Sequence, residues 1–136
     1  MLATLVYPEW LHAVEEYKNC KAHLFSMLSE PARQRAVINI DDPVAQDMAD
    51  AAKQVPVVTY SFENPEADVY SKTVKFSIWE TSMTIHTPLG AMEIITPLIC
   101  RPNVYNILAC VAAAISINVD LNDVAAALEN AEVCSN

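Results

Sequence analysis

With 136 residues, 53% hydrophobic and 18% charged, the chain has the length and composition of one globular domain with one core. Its net charge of −9, from 8 basic against 17 acidic residues, excludes the Lys/Arg surface that nucleic-acid phosphates require. No apolar run approaches the roughly 20 residues of a membrane helix, so neither nucleic acid nor a membrane is expected as a direct partner. Met1–Tyr7 lacks a basic n-region and the Arg/Ser-rich character of a transit peptide; nothing here targets the chain away from where it is made. Cys20, Cys100, Cys110 and Cys134 have neither CxxC nor zinc spacing, and read as buried free thiols of a reducing compartment. A single glycine, Gly90, serves the whole chain. Average usage of about 7% would supply roughly nine, and the chain has neither GxxxxGK(S/T) nor GxGxxG, so it carries no phosphate loop.

Taken in order, residues 9–28 form an amphipathic helix. Trp10, Val14, Tyr17, Lys21, Leu24 and Leu28 follow at spacings of four and three, one helical face. Lys21 is the anomaly in that apolar seam, because an ammonium is costly to bury without a partner. Either it snorkels to solvent along its own stem, or its surroundings lower its pKa for a chemical purpose. Ala36–Ile40 is a short buried strand, stopped by Asp41-Asp42-Pro43, which reads as the start of a helix through about Lys53. Val44, Met48, Ala51 and Ala52 share one side of it. After Pro56, Val57–Phe62 is a second strand, and strand–helix–strand with short links is a parallel unit.

From Tyr70 the period changes to two: Tyr70, Lys72, Val74, Phe76 and Ile78 alternate, as do Ser82–Thr87 and Met92–Ile95. With Thr87-Pro-Leu-Gly90 as a turn, this is a three-stranded antiparallel meander, and His86 falls on a solvated strand position. The long helix begins at Arg101-Pro-Asn-Val-Tyr-Asn106 and reaches about Val119. Val104, Ile107, Leu108, Val111 and Ile115 make one stripe, and Asn103, Asn106, Cys110 and Ala113 a neighbouring polar or small one, so burial on nearly all sides is expected. Asn103 and Asn106 lie where a helix presents free N–H groups. They either cap the helix and bond nearby backbone or face a ligand. A last helix, Leu121–Glu132, is capped by Asp120 and packs with Val124, Ala125 and Leu128.

Three patches together resemble one family. Val37-Ile-Asn-Ile-Asp-Asp-Pro43 resembles the "xINxDD" turn of the Mur ligases. Glu15-Glu-Tyr-Lys-Asn-Cys-Lys-Ala-His-Leu-Phe25 resembles their "EEYxxAKxxLF" helix. Thr87-Pro-Leu-Gly90 with Pro97-Leu-Ile-Cys-Arg-Pro-Asn-Val-Tyr-Asn-Ile-Leu-Ala109 resembles "TPxG…xLxGxxNVYNxLAA". Order and spacing are similar to the central domain of the members that add the third peptidoglycan residue (the MurE type), the plant plastid homologues above all. The likeness covers roughly residues 13–132. It implies an α/β fold for residues 1–136 as a single, partial central domain: a parallel sheet flanked by helices plus a small three-stranded antiparallel sheet. It also implies the family's activity, joining an amino acid to a peptide carboxylate through an acyl phosphate with ATP and two Mg²⁺. In the family the helix lysine is carbamylated and helps to place a metal, and Lys21 matches it. Arg101, Asn103 and Asn106 match the nucleotide side.

The departures are equally specific. The family's phosphate loop would lie upstream of Met1, and the passage to its C-terminal domain beyond Cys134-Ser-Asn136. The family's metal-ligand Asp-His falls at Val6-Tyr7, "DYHG" at Glu9-Trp-Leu-His12, and the glycine before the arginine is Cys100. ATP and Mg²⁺ are therefore implied by the family but not expected to be bound or used by this chain alone, whose partners would be the remaining ligase domains. The resemblance leaves a second reading open, a non-catalytic interaction module in a plastid protein complex related to the transcription machinery, with chloroplast residence. A third is an enzyme whose other domains come from a separate chain. With the phosphate-loop strand missing, a short Leu2–Tyr7 segment is the available substitute at the sheet edge. A marginal or self-associating monomer is expected.

Overall fold

The alternation of short apolar runs and helices builds the elements in the expected order: α1 (Leu2–Ser26), β1 (Ala36–Asn39), α2 (Ala45–Ala51), β2 (Val57–Ser61), β3 (Val69–Phe76), β4 (Thr81–Thr87), β5 (Gly90–Thr96), α3 (Arg101–Ser116) and α4 (Leu121–Glu129). They are seen in a computed structural model that describes residues 2–132, with side chains from 13 onward. Trp10 and Cys134, singled out above, lie outside the described side chains. The described chain falls into two compact units. One runs to Ala36 and includes Pro43–Val57; the other comprises Val37–Asp42 and the chain from Val58 onward.

In the first unit α1 packs on α2, and Met48, Ala52 and Val55 are buried with Ala36, the side of α2 that its spacing predicts. Two expectations fail here. The helix continues N-terminally through Pro8, so Leu2–Tyr7 is helical and not a substitute strand. The stripe expected to be the packed face of α1 is largely bare: Val14 is 39%, Tyr17 64% and Leu24 65% exposed. Helical spacing puts these residues on one face, but what covers a face is a tertiary fact that spacing does not contain.

In the second unit the strands join into one five-stranded sheet in the order β1-β2-β3-β4-β5. Ala36 N–H donates to Pro56 C=O and Ile40 N–H to Tyr60 C=O. Partner numbers thus rise together, the mark of a parallel pair. β3 is parallel to β2 (Tyr60 opposite Val69) and antiparallel to β4 (Tyr70 opposite His86), and β5 is antiparallel to β4. The parallel and antiparallel parts therefore share β3 and are continuous. A bulge between Lys72 and Lys75, with Thr73 at φ 52°, shifts the register by one. Tyr70, Lys72 and Lys75 consequently oppose His86, Thr84 and Ser82, while Phe76 opposes Thr81. The strict alternation expected through Val74, Phe76 and Ile78 is broken, because one extra residue puts Phe76 opposite Thr81, where it stays 49% exposed at the strand end. Gly90 turns β4 into β5 at φ 133°, a backbone state that a side chain would strain.

One face of the sheet carries α3, against β3, and α4, against β5. Val69, Met83, Ile85 and Ile94 meet Val104, Ile107, Leu108, Val111, Ala112, Val124 and Leu128 in a single buried cluster. Asp120 caps α4 as expected, accepting a hydrogen bond from Asn122 N–H at 2.8 Å. The expectation that α3 buries on nearly all sides is not met: Asn106, Cys110 and Ala113 are exposed. Their stripe of small and polar residues faces away from the sheet, so α3 is an ordinary one-faced helix. Cys20, Cys100 and Cys110 are free but exposed, against the expectation of burial, since the first lies off the packed side of α1 and the others off that of α3.

Thr81 marks a weak point in the core. It is fully buried opposite Thr96, whose hydroxyl donates to Leu128 C=O at 2.7 Å, whereas Thr81 Oγ1 has no partner among the described residues. An unsatisfied buried hydroxyl costs about 1–3 kcal/mol, and valine has nearly the same shape. Thr81→Val is therefore expected to raise stability by about 1 kcal/mol, read as a higher denaturation midpoint with an unchanged slope.

Candidate functional site

The polar centre of the second unit is built around Asp41. β1 ends at Asn39, whose side-chain oxygen accepts Asp41 N–H at 2.9 Å, an Asx turn that aims the next carboxylate back over the sheet. Asp41 Oδ1 accepts the Ser61 hydroxyl at 2.6 Å, and Oδ2 accepts Phe62 N–H at 2.9 Å and the Tyr105 hydroxyl at 2.8 Å. One exposed carboxylate thus joins the ends of β1 and β2 to the first turn of α3. Asp41-Asp42-Pro43, expected to start α2, does not cap it: that helix begins at Ala45 with Val44 at its N-cap and no side-chain cap bond. The Asp41 carboxylate has been taken by partners far along the chain, which offer three donors.

Arg101 completes the cluster. Its guanidinium lies 3.9 Å from the centre of the Phe62 ring and 5.9 Å from that of Tyr105, and the two rings are 5.7 Å apart at 52°, a tilted aromatic pair with a cation on it. Burial pushes the Asp41 carboxyl up, but the Phe62 N–H, the Ser61 and Tyr105 hydroxyls and the Arg101 charge together outweigh it and hold Asp41 below the ordinary carboxylate value. Burial and the neighbouring carboxylate push the Tyr105 phenol up.

The residues that the sequence singles out are placed as follows. Arg101 opens α3 inside this cluster. Asn103 does not cap the helix: Cys100 occupies the N-cap position at φ 76°, without a side-chain bond. Asn103 sits inside the first turn and donates its amide to Ile99 C=O at 2.7 Å. Asn106 is exposed and, among the described residues, bonded to nothing. Lys21 belongs to the other unit, half-buried, its Nζ 5.5 Å from the Tyr17 ring centre. His86 is half-buried and stacks on Tyr70 at 4.9 Å and 8°, so it is a packed surface residue and not a fully solvated one. Sequence reasoning missed Asp41, Ser61 and Tyr105 as a set. The "IDD" turn was visible, but its partner Tyr105 lies 64 residues away.

These donors do not suit a Mg²⁺–phosphate group. Among the described residues no three His, Cys, Asp or Glu side chains converge. Arg101 and the two amides offer no anion, and the Asp41 carboxylate already accepts three hydrogen bonds. Arg101 and Asn106 do leave a cationic plane and a free amide exposed along the start of α3, groups suited to a heterocycle or sugar and not to a hard cation.

Comparison with known proteins places the chain. The family model of the Mur ligase middle domain matches residues 9–114. The chloroplastic homologue of UDP-N-acetylmuramoyl-L-alanyl-D-glutamate–2,6-diaminopimelate ligase MurE from Oryza sativa is 44% identical over 119 residues, 87% of this chain and 16% of that protein. The ligase of that name from Bacillus velezensis is 35% identical over 120 residues, 85% of this chain and 24% of its own. A solved structure of such a ligase superposes with a TM-score of 0.81 at 27% identity, over 90% of this chain and 26% of its own. The chain thus spans between 16% and 26% of the length of these relatives. No described helix is long and apolar enough to cross a membrane. With the middle-domain model matching residues 9–114 and the rice homologue 44% identical over 87% of the chain, the chain belongs to the Mur ligase middle-domain family.

Proposed function

We propose that this chain is the middle-domain portion of an ATP-dependent ligase of the peptidoglycan-precursor type, and that by itself it does not catalyse. The observation that carries this reading is the match to the middle-domain model over residues 9–114. Arg101 and Asn106 are its nucleotide side. Asn103 is committed to Ile99 C=O and supports the turn. ATP and Mg²⁺ are the cofactors of the whole ligase, held with groups that other domains supply.

Lys21 is the position for a carbamate, in which a neutral amine adds to CO₂ and loses a proton to become an anion. Its Nζ lies 5.5 Å from the centre of the Tyr17 ring. Isothermal titration with MgATP is expected to show no saturable binding in the micromolar range, about −8 kcal/mol at 1 μM; micromolar binding would overturn the inactive reading.

A second reading, a non-catalytic module in a chloroplast assembly, is favoured by one observation. Identity to three chloroplastic homologues is 41–44%, against 35–40% to five bacterial ligases. Capture from chloroplast extract that recovers no stable protein complex would count against it.

A further inference from the structure

Cys100 holds its backbone at φ 76° and ψ 153°, a region that is essentially glycine's alone, because a Cβ there crowds the adjoining peptides. The one glycine of the chain lies elsewhere, at Gly90. Strain of this kind persists only where the surroundings over-determine it, and it collects at switch segments. Before Cys100, Leu98 N–H donates to Thr96 Oγ1 at 3.3 Å, and Thr96 is itself tied to Leu128 C=O at 2.7 Å. After it, Val104 is fully buried, the Tyr105 hydroxyl is bonded to Asp41, and the Arg101 guanidinium lies on the Phe62 ring. Both flanks are fixed, so the change of direction falls on residues 97–100, and Cys100 takes it.

Asn103 is the main restraint on that turn. Its side-chain amide donates to Ile99 C=O at 2.7 Å and its backbone N–H to Cys100 C=O at 3.2 Å, while Val104 N–H reaches the same oxygen at 3.4 Å. The two bonds to Cys100 are long beside the usual N–H···O length of about 2.9–3.0 Å, so the Asn103 side chain supplies the firm one. Ile99 is half-buried and Cys100 is exposed. Cys100 is therefore held by its neighbours and not by packing of its own side chain.

We propose that residues 97–103 form a strained latch on the start of α3, with a closed and an open state. In the closed state Asn103 holds Ile99 and Arg101 lies on Phe62. In the open state Cys100 relaxes to negative φ, its carbonyl turns away from the Asn103 and Val104 N–H groups, and Arg101 leaves the ring. Strain at Cys100 drives opening, and the Asn103 amide and the Arg101 stack oppose it. From Val104 onward α3 stays in the core cluster, so the open state is a local unfolding of one turn. Whatever draws the Asn103 amide away from Ile99 releases Arg101 with it, so the two groups change place together. The latch goes beyond the ligase reading, because it follows from the turn itself and holds whether or not a nucleotide binds beside it.

Amide hydrogen exchange of the full chain tests it, with Asn103 and Val104 as latch amides and Leu108 and Val111 as reporters of the rest of α3. The latch amides are expected to exchange faster than the reporters and with little dependence on denaturant, because opening exposes little surface. Cys100→Gly is expected to slow them about fivefold or more by removing the strain. The sign is decisive, since glycine in place of an unstrained residue loosens a chain and speeds exchange. Cys100→Ala keeps the Cβ and is expected to exchange like the parent, which separates backbone strain from thiol chemistry. Asn103→Ala is expected to speed the latch amides about tenfold and to shift the Arg101 side-chain protons away from their ring-shielded positions over Phe62. Adding Cys100→Gly to it brings the rate back toward the parent's. If Asn103→Ala does not fold, the two Cys100 variants still decide. A glycine variant that exchanges as fast as the parent or faster, an alanine variant that slows like the glycine one, or latch amides with the denaturant dependence of Leu108 and Val111 would each overturn the proposal.

Discussion

Leu108→Ala is expected to destabilise the second unit by about 2–5 kcal/mol, against the 5–15 kcal/mol typical of a whole domain. Leu108 is fully buried in the cluster that α3 and α4 form with the sheet, a cluster that also holds Val104, Ile107, Val111, Val69 and Ile85. Truncation removes the transfer energy of the lost carbons and leaves a cavity that rigid strands on one side and a second helix on the other cannot fill. The contrast lies on the same helix. Asn106→Ala, on the exposed stripe, is expected to stay within about 0.5 kcal/mol. Chemical denaturation of both separates the two faces; equal losses would mean that the outer stripe of α3 is covered in solution.

Removing the Asp41 carboxylate is the second large effect. Asp41→Ala is expected to cost about 1–3 kcal/mol, because Ser61, Phe62 N–H and Tyr105 lose a charged acceptor and the two strand ends are no longer tied to α3. The figure is held down by solvent, since Asp41 is exposed and water can replace part of what is lost. The pH dependence has a definite sign. The folded carboxyl titrates below its ordinary value of 3.8, so the folded state holds its proton less tightly than the unfolded one. The stabilisation is fully present above the ordinary carboxylate value and is lost as pH falls through the folded one. The alanine variant should therefore show a shallower acid loss than the parent below about pH 4. Parallel acid limbs in the two would show that Asp41 is not a titrating tie.

Much of the fold was legible because it rests on spacing. The 3.6-residue stripe from Val104 to Ile115, the switch to period two at Tyr70 and the Asp120 cap each specify local structure from adjacent residues. What was lost shares one cause. A pattern says which side chains share a face and not what meets that face, so Val14, Tyr17 and Leu24 share a stripe and are nonetheless exposed, as are Asn106 and Cys110. The bulge at Thr73 was hidden because nothing about a threonine announces a left-handed backbone. At the candidate site the family motifs brought Arg101, Asn103 and Asn106 forward. The residue that ties the start of α3 to the strands is Asp41, and its role depends on Ser61 and Tyr105, which no local pattern connects to it.

The position of β3 has a kinetic consequence. On one side it pairs with β4, reached through a two-residue loop, and β4 with β5 through an equally short turn. On the other side it must wait for β2, and β2 for β1, which it meets only after the chain between Asn39 and Val57 has closed. Hairpins close in about 1–10 μs, while longer loops carry a growing entropic cost before any contact repays it. The meander can therefore form from its own local contacts and stand as the template, and the parallel strands add to it outward, β1 last.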